Sequence, residues 1–236
     1  MFAARAAHPG QADVIADEPA QKSPEAESEL PNQLAHALVK WIDRSNEELI
    51  IVSAYLIPTP ELEAAVERAE SRGVRVRILT NSLRSNNHIA AHSAYRNHVH
   101  RLMGHGADLH EVRAQAKDRS IYMHNPVDDK KLGLHAKLIL FDQEHTFIGS
   151  TNMDPRSLRL NTEIGVFIQS YELNQHLRQQ LEIDFHKRNA WHLQTADNGR
   201  IIWVADDIVL DSQPADSAFQ RLEDWFLSIL PIEEEM

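Results

Sequence analysis

Apolar residues along this chain follow strand-like spacing in some stretches and helix-like spacing in others. Short apolar runs at 48–54 and 74–80 predict buried strands. Between them, residues 60–72 carry apolar positions at helical spacing, directly after a Thr-Pro pair that suits a helix start. This order predicts a right-handed crossover between two parallel strands.

The same spacing predicts further elements on both sides of this crossover. The expected helices are 32–44, 86–103, 171–188 and 217–230, and the expected strands are 107–112, 134–141, 146–148, 163–169 and 201–205. The mostly polar residues 113–131 are predicted to form a loop.

The strand predicted at 134–141 carries two polar residues at its start. His135 and Lys137 are two positions apart, and side chains alternate between the faces of an extended chain. One face therefore presents a nucleophile beside a cation.

The strand predicted at 146–148 ends at Gly149, and Ser150 and Asn152 follow. Glycine allows close approach of the backbone to a ligand, while the hydroxyl and the amide supply neutral hydrogen-bond donors. Together with a lysine and a histidine, these groups suit a phosphate ester.

Composition narrows the classes of protein that fit. The net charge is -11, from 24 basic and 35 acidic residues, whereas a protein that grips nucleic acid over a wide surface carries a basic field. There is no cysteine, so disulfides and thiol chemistry are excluded. No apolar run approaches the roughly 20 residues of a membrane-spanning helix, and residues 1–20 lack the apolar centre of a signal peptide.

The polar positions resemble a known signature. Their spacing is similar to the HKD motif of the phospholipase D superfamily at His135, Lys137, Asp142, Gly149, Ser150 and Asn152. Residues 152–163 resemble bacterial cardiolipin synthases more closely still. The resemblance implies an α/β fold, a phospholipase D-like α-β-α sandwich with a mixed, largely parallel sheet flanked by helices, and one HKD half.

The resemblance also implies roles for the side chains. His135 attacks phosphorus to give a phosphohistidine, or protonates the leaving alkoxide. Lys137 and Asn152 hold the non-bridging oxygens, and Ser150 supports them. Ordinary structural roles remain open: a core histidine beside an edge lysine, and turn chemistry at Ser150 and Asn152.

Two acidic residues complete the predicted catalytic set. Glu163 accepts a hydrogen bond from the second imidazole nitrogen of His135, which fixes the tautomer; its structural alternative is a strand-edge carboxylate. Asp142 has, by the resemblance, a more structural than chemical role.

Five further residues are candidates for substrate binding. Tyr55, Asn81 and Ser82 follow the carboxyl ends of predicted strands, where clefts form in α/β folds. His92 and Tyr95 loosely match a region of cardiolipin synthases that contacts the lipid headgroup.

Histidines are frequent between 86 and 110, and His88 and His92 have the spacing of a zinc pair. No cysteine or acid stands at metal spacing beside them, and the proposed chemistry requires no metal. We expect neither a metal nor a cofactor.

Double displacement through phosphohistidine requires two histidines, and no other histidine of the chain has a lysine two positions later. We expect the second motif from a homodimer or from an N-terminal half. Residues 12–22 resemble the segment that joins the two halves of two-motif synthases, which favours the second source.

The chain divides into three predicted parts. Residues 1–31 read as a flexible linker or tail, 32–190 as the catalytic half-domain, and 191–236 as a C-terminal strand and amphipathic helix extension. The helix at 217–230 has one apolar face, which predicts docking onto the domain. The alternative is a helix lying on a bilayer, although its acidic polar face has the wrong sign for anionic lipid.

The sequence therefore favours a phosphatidyltransferase of the cardiolipin synthase type. The expected substrates are phosphatidylglycerol or phosphatidylethanolamine, and the expected location is cytoplasmic, peripheral at the inner membrane. The alternatives are a homodimeric phosphodiesterase or nuclease, which the acidic charge disfavours, and an inactive half that completes a partner's site.

Overall fold

A mixed sheet runs through the protein, which we describe from a computed structural model covering residues 8–17 and 33–230. Ten strands of these residues form the sheet. The strands are β1 (Gln11–Ala16), β2 (Glu48–Ser53), β3 (Arg75–Asn81), β4 (Asp108–Val112), β5 (Lys137–Phe141), β6 (His145–Gly149), β7 (Ile164–Gln169), β8 (Ala190–Thr195), β9 (Ile201–Val204) and β10 (Val209–Leu210). The helices are α1 (Gln33–Arg44), α2 (Pro60–Ser71), α3 (Ile89–His105), α4 (Tyr171–Phe185) and α5 (Ala218–Ser228).

The strand order is β1-β7-β6-β5-β2-β3-β4-β8-β9-β10. The mixed sheet flanked by helices is confirmed. The expected predominance of parallel pairs is wrong, because only β2 with β3 and β3 with β4 are parallel among the described pairings. Short connections join three of the seven other pairs, β5 with β6, β8 with β9 and β9 with β10, and such connections produce antiparallel pairs.

Helices cover both faces of the sheet. Apolar residues of α1, α2 and α3 pack with one face in the larger core, and α4 covers the other face through Leu181 and Phe185. Strand β5 contributes to both cores: Ile139 and Phe141 face the larger one, and Leu138 and Leu140 face the smaller. Lys137 lies on the face of Ile139, because side chains alternate along a strand.

The predicted crossover from β2 through α2 to β3 is confirmed. Thr59 caps α2 by accepting a hydrogen bond from the backbone nitrogen of Leu62 at 3.4 Å, and Pro60 is the first helical residue. Gly73, with φ of 87°, follows the helix end in the left-handed region that glycine tolerates.

Three strands differ from the sequence predictions. The prediction of a linker at 1–31 is wrong for Gln11–Ala16, because β1 pairs antiparallel with the edge of β7 and gains a full ladder of hydrogen bonds. Strands β8 and β10 were not predicted, and β8 continues the sheet from β4 across the expected boundary at 190. Residues 1–7, 18–32 and 231–236 lie outside the described residues, and so does the part of the 12–22 segment from residue 18 onward.

Several element ends meet at one edge of the sheet. Because β5 and β7 run antiparallel to β6, the starts of β5 and β7 and the end of β6 lie together. The end of β2 joins them, since Ser53 is paired with Lys137. This edge carries the polar residues that the sequence singled out.

Candidate functional site

His135 and Lys137 form the centre of this edge. Strand β5 begins at Lys137, so His135 precedes the strand and is exposed, whereas Lys137 is only 9% exposed. The Lys137 Nζ lies 3.3 Å from His135 Nδ1 and donates to the His135 carbonyl oxygen at 2.9 Å. The two side chains therefore do lie together, with the imidazole at the surface.

The charge of Lys137 is set by opposing effects. Burial lowers the pKa of Lys137, while the carboxylates of Glu163 and Asp154 act in the opposite direction. A buried ammonium is a strong partner for an anion that enters the site.

Ser150 and Asn152 follow the end of β6 at the same edge. The Ser150 hydroxyl donates to Glu163 and accepts from the backbone nitrogen of Ile164 at 3.1 Å. Asn152 Oδ1 is buried and has no hydrogen-bond partner among the described residues. Since buried polar atoms normally have partners, this acceptor oxygen is available to a hydrogen-bond donor of a ligand, whereas the NH₂ group of the same carboxamide is the part that can donate to a phosphate.

Gly149 allows two strands to pack closely, and does not bring the backbone close to a ligand. It is paired with Gly165 of β7, and a Cβ at Gly149 would lie 2.6 Å from the Phe147 ring and 2.8 Å from the carbonyl oxygen of Ile164. The absence of a side chain thus lets β6 and β7 close over Phe147, which fixes the strand end from which Ser150 extends.

Glu163 has different partners from those predicted. Its carboxylate accepts hydrogen bonds from Ser150 and, at 3.1 Å, from Asn161 Nδ2. The expected hydrogen bond with His135 is absent, because Lys137 takes the Nδ1 position of the ring while Ser150 and Asn161 occupy the two carboxylate oxygens. Glu163 instead interacts electrostatically with Lys137.

Asp142 does not belong to the site. It follows β5 at the far end of the strand from Lys137, with φ of 48°, and its carboxylate accepts from the backbone nitrogens of Asn46, Glu47 and Glu48. Its placement among the catalytic residues is therefore corrected. It fixes the start of β2 against the turn after β5.

Asn81 lies beneath the site with no free polar atom. Its amide nitrogen donates to the carbonyl oxygens of Ala54 at 3.0 Å and Leu134 at 2.9 Å, and its Oδ1 accepts from Leu134 N at 2.8 Å. The prediction that Asn81 binds substrate is replaced by a positioning role, since it anchors the residue before His135.

Three other candidates for substrate binding are also buried. Ser82 donates to a main-chain carbonyl of β4 at 2.7 Å, His92 contacts Asp224 at 2.9 Å, and the Tyr95 hydroxyl donates to Glu111 at 3.0 Å. Ser82 and His92 have no exposed surface, and Tyr95 has 2%. These side chains therefore cannot touch a substrate and are withdrawn from the site.

Tyr55 remains at the rim of the site. Its hydroxyl donates to Asn87 Oδ1 at 2.9 Å, and its ring packs edge-on against His88. Burial raises the pKa of Tyr55, and the charge of Asp154 acts in the same direction. The phenol thus stays neutral and can donate a hydrogen bond.

Two aspartates that the sequence prediction missed support the site. Asp154 is buried, accepts from Ser157 N at 2.7 Å, and interacts electrostatically with Lys137. Asp17, beyond the end of β1, exchanges backbone and side-chain hydrogen bonds with Glu163. Asp154 lies two residues after Asn152, and this position next to the motif could have identified it. No sequence signal pointed to Asp17, because its partner Glu163 is 146 residues away.

Two cavities adjoin this edge. One of about 280 Å³ is lined by His135 together with Tyr122 and Asp184. Another of about 720 Å³ lies between α2 and α3 and includes Pro155 and Arg159 in its lining. Among the described residues, no three histidine, cysteine or acidic side chains lie close enough together to hold a metal ion.

Comparisons with known proteins agree with this geometry. The family described as cardiolipin synthase, PLD-like domain, matches residues 38–185. Cardiolipin synthase C of Escherichia coli (strain K12) is 33% identical over 226 residues, which cover 93% of this chain and 47% of that protein. The chain spans about half the length of the curated relatives it matches.

Solved structures resemble the fold at low sequence identity. Nuc from Salmonella typhimurium, described as a phospholipase D family member, has a TM-score of 0.50 and 20% identity, covering 77% of this chain and 97% of that one. Phosphatidylserine synthase of Haemophilus influenzae Rd KW20 has a TM-score of 0.52 and 16% identity, covering 73% of this chain and 37% of that one. Within residues 8–17 and 33–230, no helix has the length and apolar character that crossing a membrane requires.

Proposed function

Because this chain belongs to the family of cardiolipin synthase PLD-like domains, within the phospholipase D superfamily, we propose that it supplies one half of a phosphatidyltransferase site. The relatives in this family are enzymes. The substrates and the transfer reaction are our inference for this chain.

The contact between His135 and Lys137 at an exposed sheet edge carries the proposal. An ammonium beside an imidazole matches the charge of a phosphodiester and of its transition state, and the Asn152 carboxamide on the neighbouring strand end can add a hydrogen bond through its NH₂ group. Ordinary core packing does not explain an exposed histidine above a buried lysine.

Transfer proceeds in two displacements. In the first, an imidazole nitrogen forms a bond to phosphorus, the bond from phosphorus to the departing alcohol oxygen breaks, and a second histidine gives that oxygen a proton. In the second, an acceptor hydroxyl returns a proton to that histidine and attacks phosphorus, and the phosphorus-nitrogen bond breaks. Lys137 and Asn152 hold the non-bridging oxygens throughout.

The Lys137 contact bears on which role His135 takes. An ammonium only donates, so His135 Nδ1 accepts, and a neutral ring then carries its proton on Nε2. In that tautomer Nδ1 is engaged by Lys137 and Nε2 has no lone pair free to attack phosphorus. If the ring turned its Nδ1 toward the Glu163 carboxylate, the lone pair would move to Nε2, which is the state of the nucleophile.

The second histidine has two sources in this proposal. A homodimer brings two copies of His135 across a two-fold axis, or a separate N-terminal half brings its own. We favour the second source, because the chain covers 47% of cardiolipin synthase C. A phosphatidyl donor such as phosphatidylglycerol or phosphatidylethanolamine lies in a bilayer, so we further propose peripheral contact with the cytoplasmic face of the inner membrane.

Hydrolysis of a phosphodiester, by the same residues with water as acceptor, is the second candidate. The exposed position of His135 favours it, since water reaches the ring freely. A nucleic acid substrate fits poorly with the net charge of -11. A silent half that only completes a partner's site is the third.

Product analysis distinguishes these candidates. Vesicles with fluorescent phosphatidylglycerol would be incubated with the chain, alone and with an N-terminal half of a two-motif synthase, and the lipids separated by chromatography and mass spectrometry. We expect cardiolipin and glycerol from the wild type, and none from His135→Ala. His186→Ala, an exposed histidine directly before Lys187, is the matched control. Phosphatidic acid as product would indicate hydrolysis, and cardiolipin from His135→Ala would overturn the proposal.

A further inference from the structure

Helix α5 presents its apolar side to solvent. The exposed fractions are 73% for Phe219, 57% for Leu222, 50% for Trp225, 54% for Phe226 and 62% for Ile229. Docking through this face, which the sequence favoured, is therefore wrong. So many large apolar side chains on one exposed face indicate a surface that is covered by something else.

The opposite side of α5 holds the helix in place. Asp224 is completely buried and accepts from Ser93 Oγ at 3.0 Å and Arg96 Nη1 at 3.1 Å, while His92 Nδ1 lies 2.9 Å from it. These partners all belong to α3. The helix is thus fixed through a charged contact, and its apolar side is turned outward as a consequence.

A groove with basic lining adjoins the exposed face. It has a volume of about 600 Å³, lies between α3, β9 and α5, and includes Arg96, Arg200, Arg221 and His100, with Asp211 as its acidic residue. Neither Arg200 nor Arg221 has a carboxylate within 4 Å among the residues of the described ranges. The Arg221 Nε donates only to the Gln213 carbonyl oxygen, so its charge is available.

Trp225 connects the groove to the apolar face. Its ring lines the groove and is half exposed, and tryptophan prefers the boundary between hydrocarbon and lipid headgroups. A helix that lies in a bilayer surface combines an apolar side, a tryptophan at the margin of that side and arginines next to it. Helix α5 has all three features.

We infer that α5 and this groove bind the surface of an anionic phospholipid bilayer. Phe219, Leu222 and Phe226 enter the acyl region, and Arg200 and Arg221 contact headgroup phosphates. The inference deepens the proposed function, on which it rests for the choice of a phospholipid as occupant. The acidic charge of Asp224 does not oppose binding, because the residue is buried against α3 and pairs with Arg96.

The surface is linked to the candidate site. Asp216, just before α5, pairs with Arg84 at 2.9 Å and with Lys131. Arg84 follows β3 at the site edge, and Lys131 lies four residues before His135. Gln220 also donates to the Leu83 carbonyl oxygen at 3.4 Å. A bilayer that holds α5 therefore lies next to the segments that position His135.

Vesicle sedimentation tests the inference without requiring turnover. In a His135→Ala background, which leaves the lipids intact, the protein would be mixed with vesicles of phosphatidylcholine alone or with phosphatidylglycerol. We expect tighter binding to the anionic vesicles, with a blue shift of tryptophan emission that is absent in Trp225→Phe. Phe219→Ser with Phe226→Ser should weaken binding about tenfold or more, because two rings no longer enter hydrocarbon.

A second pair of substitutions tests the basic groove. Arg200→Gln with Arg221→Gln should abolish the preference for phosphatidylglycerol, because two of its cations are removed. Val14→Ser, which is 64% exposed on β1, and Arg44→Gln, at the end of α1, are the matched controls and should bind as the parent does.

Two outcomes would overturn the inference. One is vesicle binding that neither double variant changes. The other is failure of the parent protein to bind anionic vesicles; a lower molar mass of the serine variant by light scattering would then assign the face to a second copy of the chain. The same double variants in a chain that keeps His135 would be assayed on detergent-dispersed lipid, and retained activity there would leave the proposed function standing, so the two failures are distinguishable.

Discussion

The ammonium nitrogen of Lys137 lies 3.3 Å from Nδ1 of His135 and 2.9 Å from the carbonyl oxygen of the same residue. This contact places the one buried cation of the described site edge directly beneath an exposed imidazole. A phosphodiester that reaches the ring therefore meets the charge of Lys137 at the same time.

Loss of the Lys137 charge should slow turnover strongly. We predict that Lys137→Met lowers kcat/KM by about 10²-fold or more, the range seen when a preorganised donor is removed from a transition state. Lys130→Met, a lysine that is 67% exposed, should leave kcat/KM unchanged. Steady-state rates on dispersed phosphatidylglycerol provide the measurement, and equal losses in both variants would contradict a specific role.

The pH dependence of activity should also reflect the protonation of Lys137. Burial lowers the pKa of Lys137 below its ordinary 10.5. A lysine is charged below its pKa, so activity should decline on the alkaline side before pH 10.5 is reached. In Lys137→Arg the decline should move to higher pH, because a guanidinium stays protonated. An alkaline limb at the same pH in both proteins would show that another group titrates.

Subunit mixing should reveal the source of the second histidine. If two copies share one site, coexpression of wild type and His135→Ala in equal amounts leaves about one quarter of the assemblies with both histidines. If an N-terminal half supplies the partner, activity falls to about one half, because each chain acts alone with that half. Specific activity of the mixed preparation, measured against its molar mass, separates these two values.

Asn81 should act through the position of His135. Asn81→Ala leaves the backbone groups of Leu134 without partners, so we expect about 1–3 kcal/mol lower stability and a fall in kcat per folded molecule. Asn174→Ala is the control, because that amide is equally buried but donates to the His145 carbonyl oxygen at the far end of β6. It should lose stability and keep its kcat.

The buried Glu111 should make stability depend on pH. Burial raises its pKa to about 7 in the folded protein, above the ordinary 4.5, and its partners are Tyr95 and Trp203. The folded state then binds the extra proton, so this stabilisation is complete below pH 4.5 and is lost as pH rises through 7. The shift corresponds to at most about 3 kcal/mol.

Glu111→Gln should abolish that part of the pH profile, because glutamine mimics the protonated acid. Urea unfolding of both proteins from pH 5 to 8 gives the difference in free energy of unfolding. His192, whose pKa burial lowers to about 4, acts with the opposite sign but is common to both proteins. A difference that stays constant with pH would contradict the assignment.

Local patterns were sufficient to predict most of the fold. Helix α2, for example, combines a threonine cap, a proline at its first position and an apolar stripe, all within a dozen residues. Strand β1 could not be predicted in this way, because its exposed residues carry no apolar alternation and it forms only by pairing with β7. Its stability depends on a partner more than 140 residues away.

In the candidate site, too, local contacts could be predicted from the sequence and long-range contacts could not. The spacing of His135 and Lys137 correctly brought the two side chains together, since strand geometry is local. It could not show that Asn81, His92 and Tyr95 are buried, because their burial depends on Leu134, α5 and Glu111 respectively. Nor could a helical pattern show which side of α5 faces inward, since the docked side is fixed by one aspartate.

Chemical rescue of His135 is the most direct measurement of the central claim. His135→Gly would be assayed for phosphatidyl release, in the assembly where the wild type turns over, with and without added imidazole. We predict that the variant is inactive and that free imidazole restores turnover, because the ring serves either as nucleophile or as proton donor. Wild-type turnover by His135→Gly in the absence of imidazole would contradict the account.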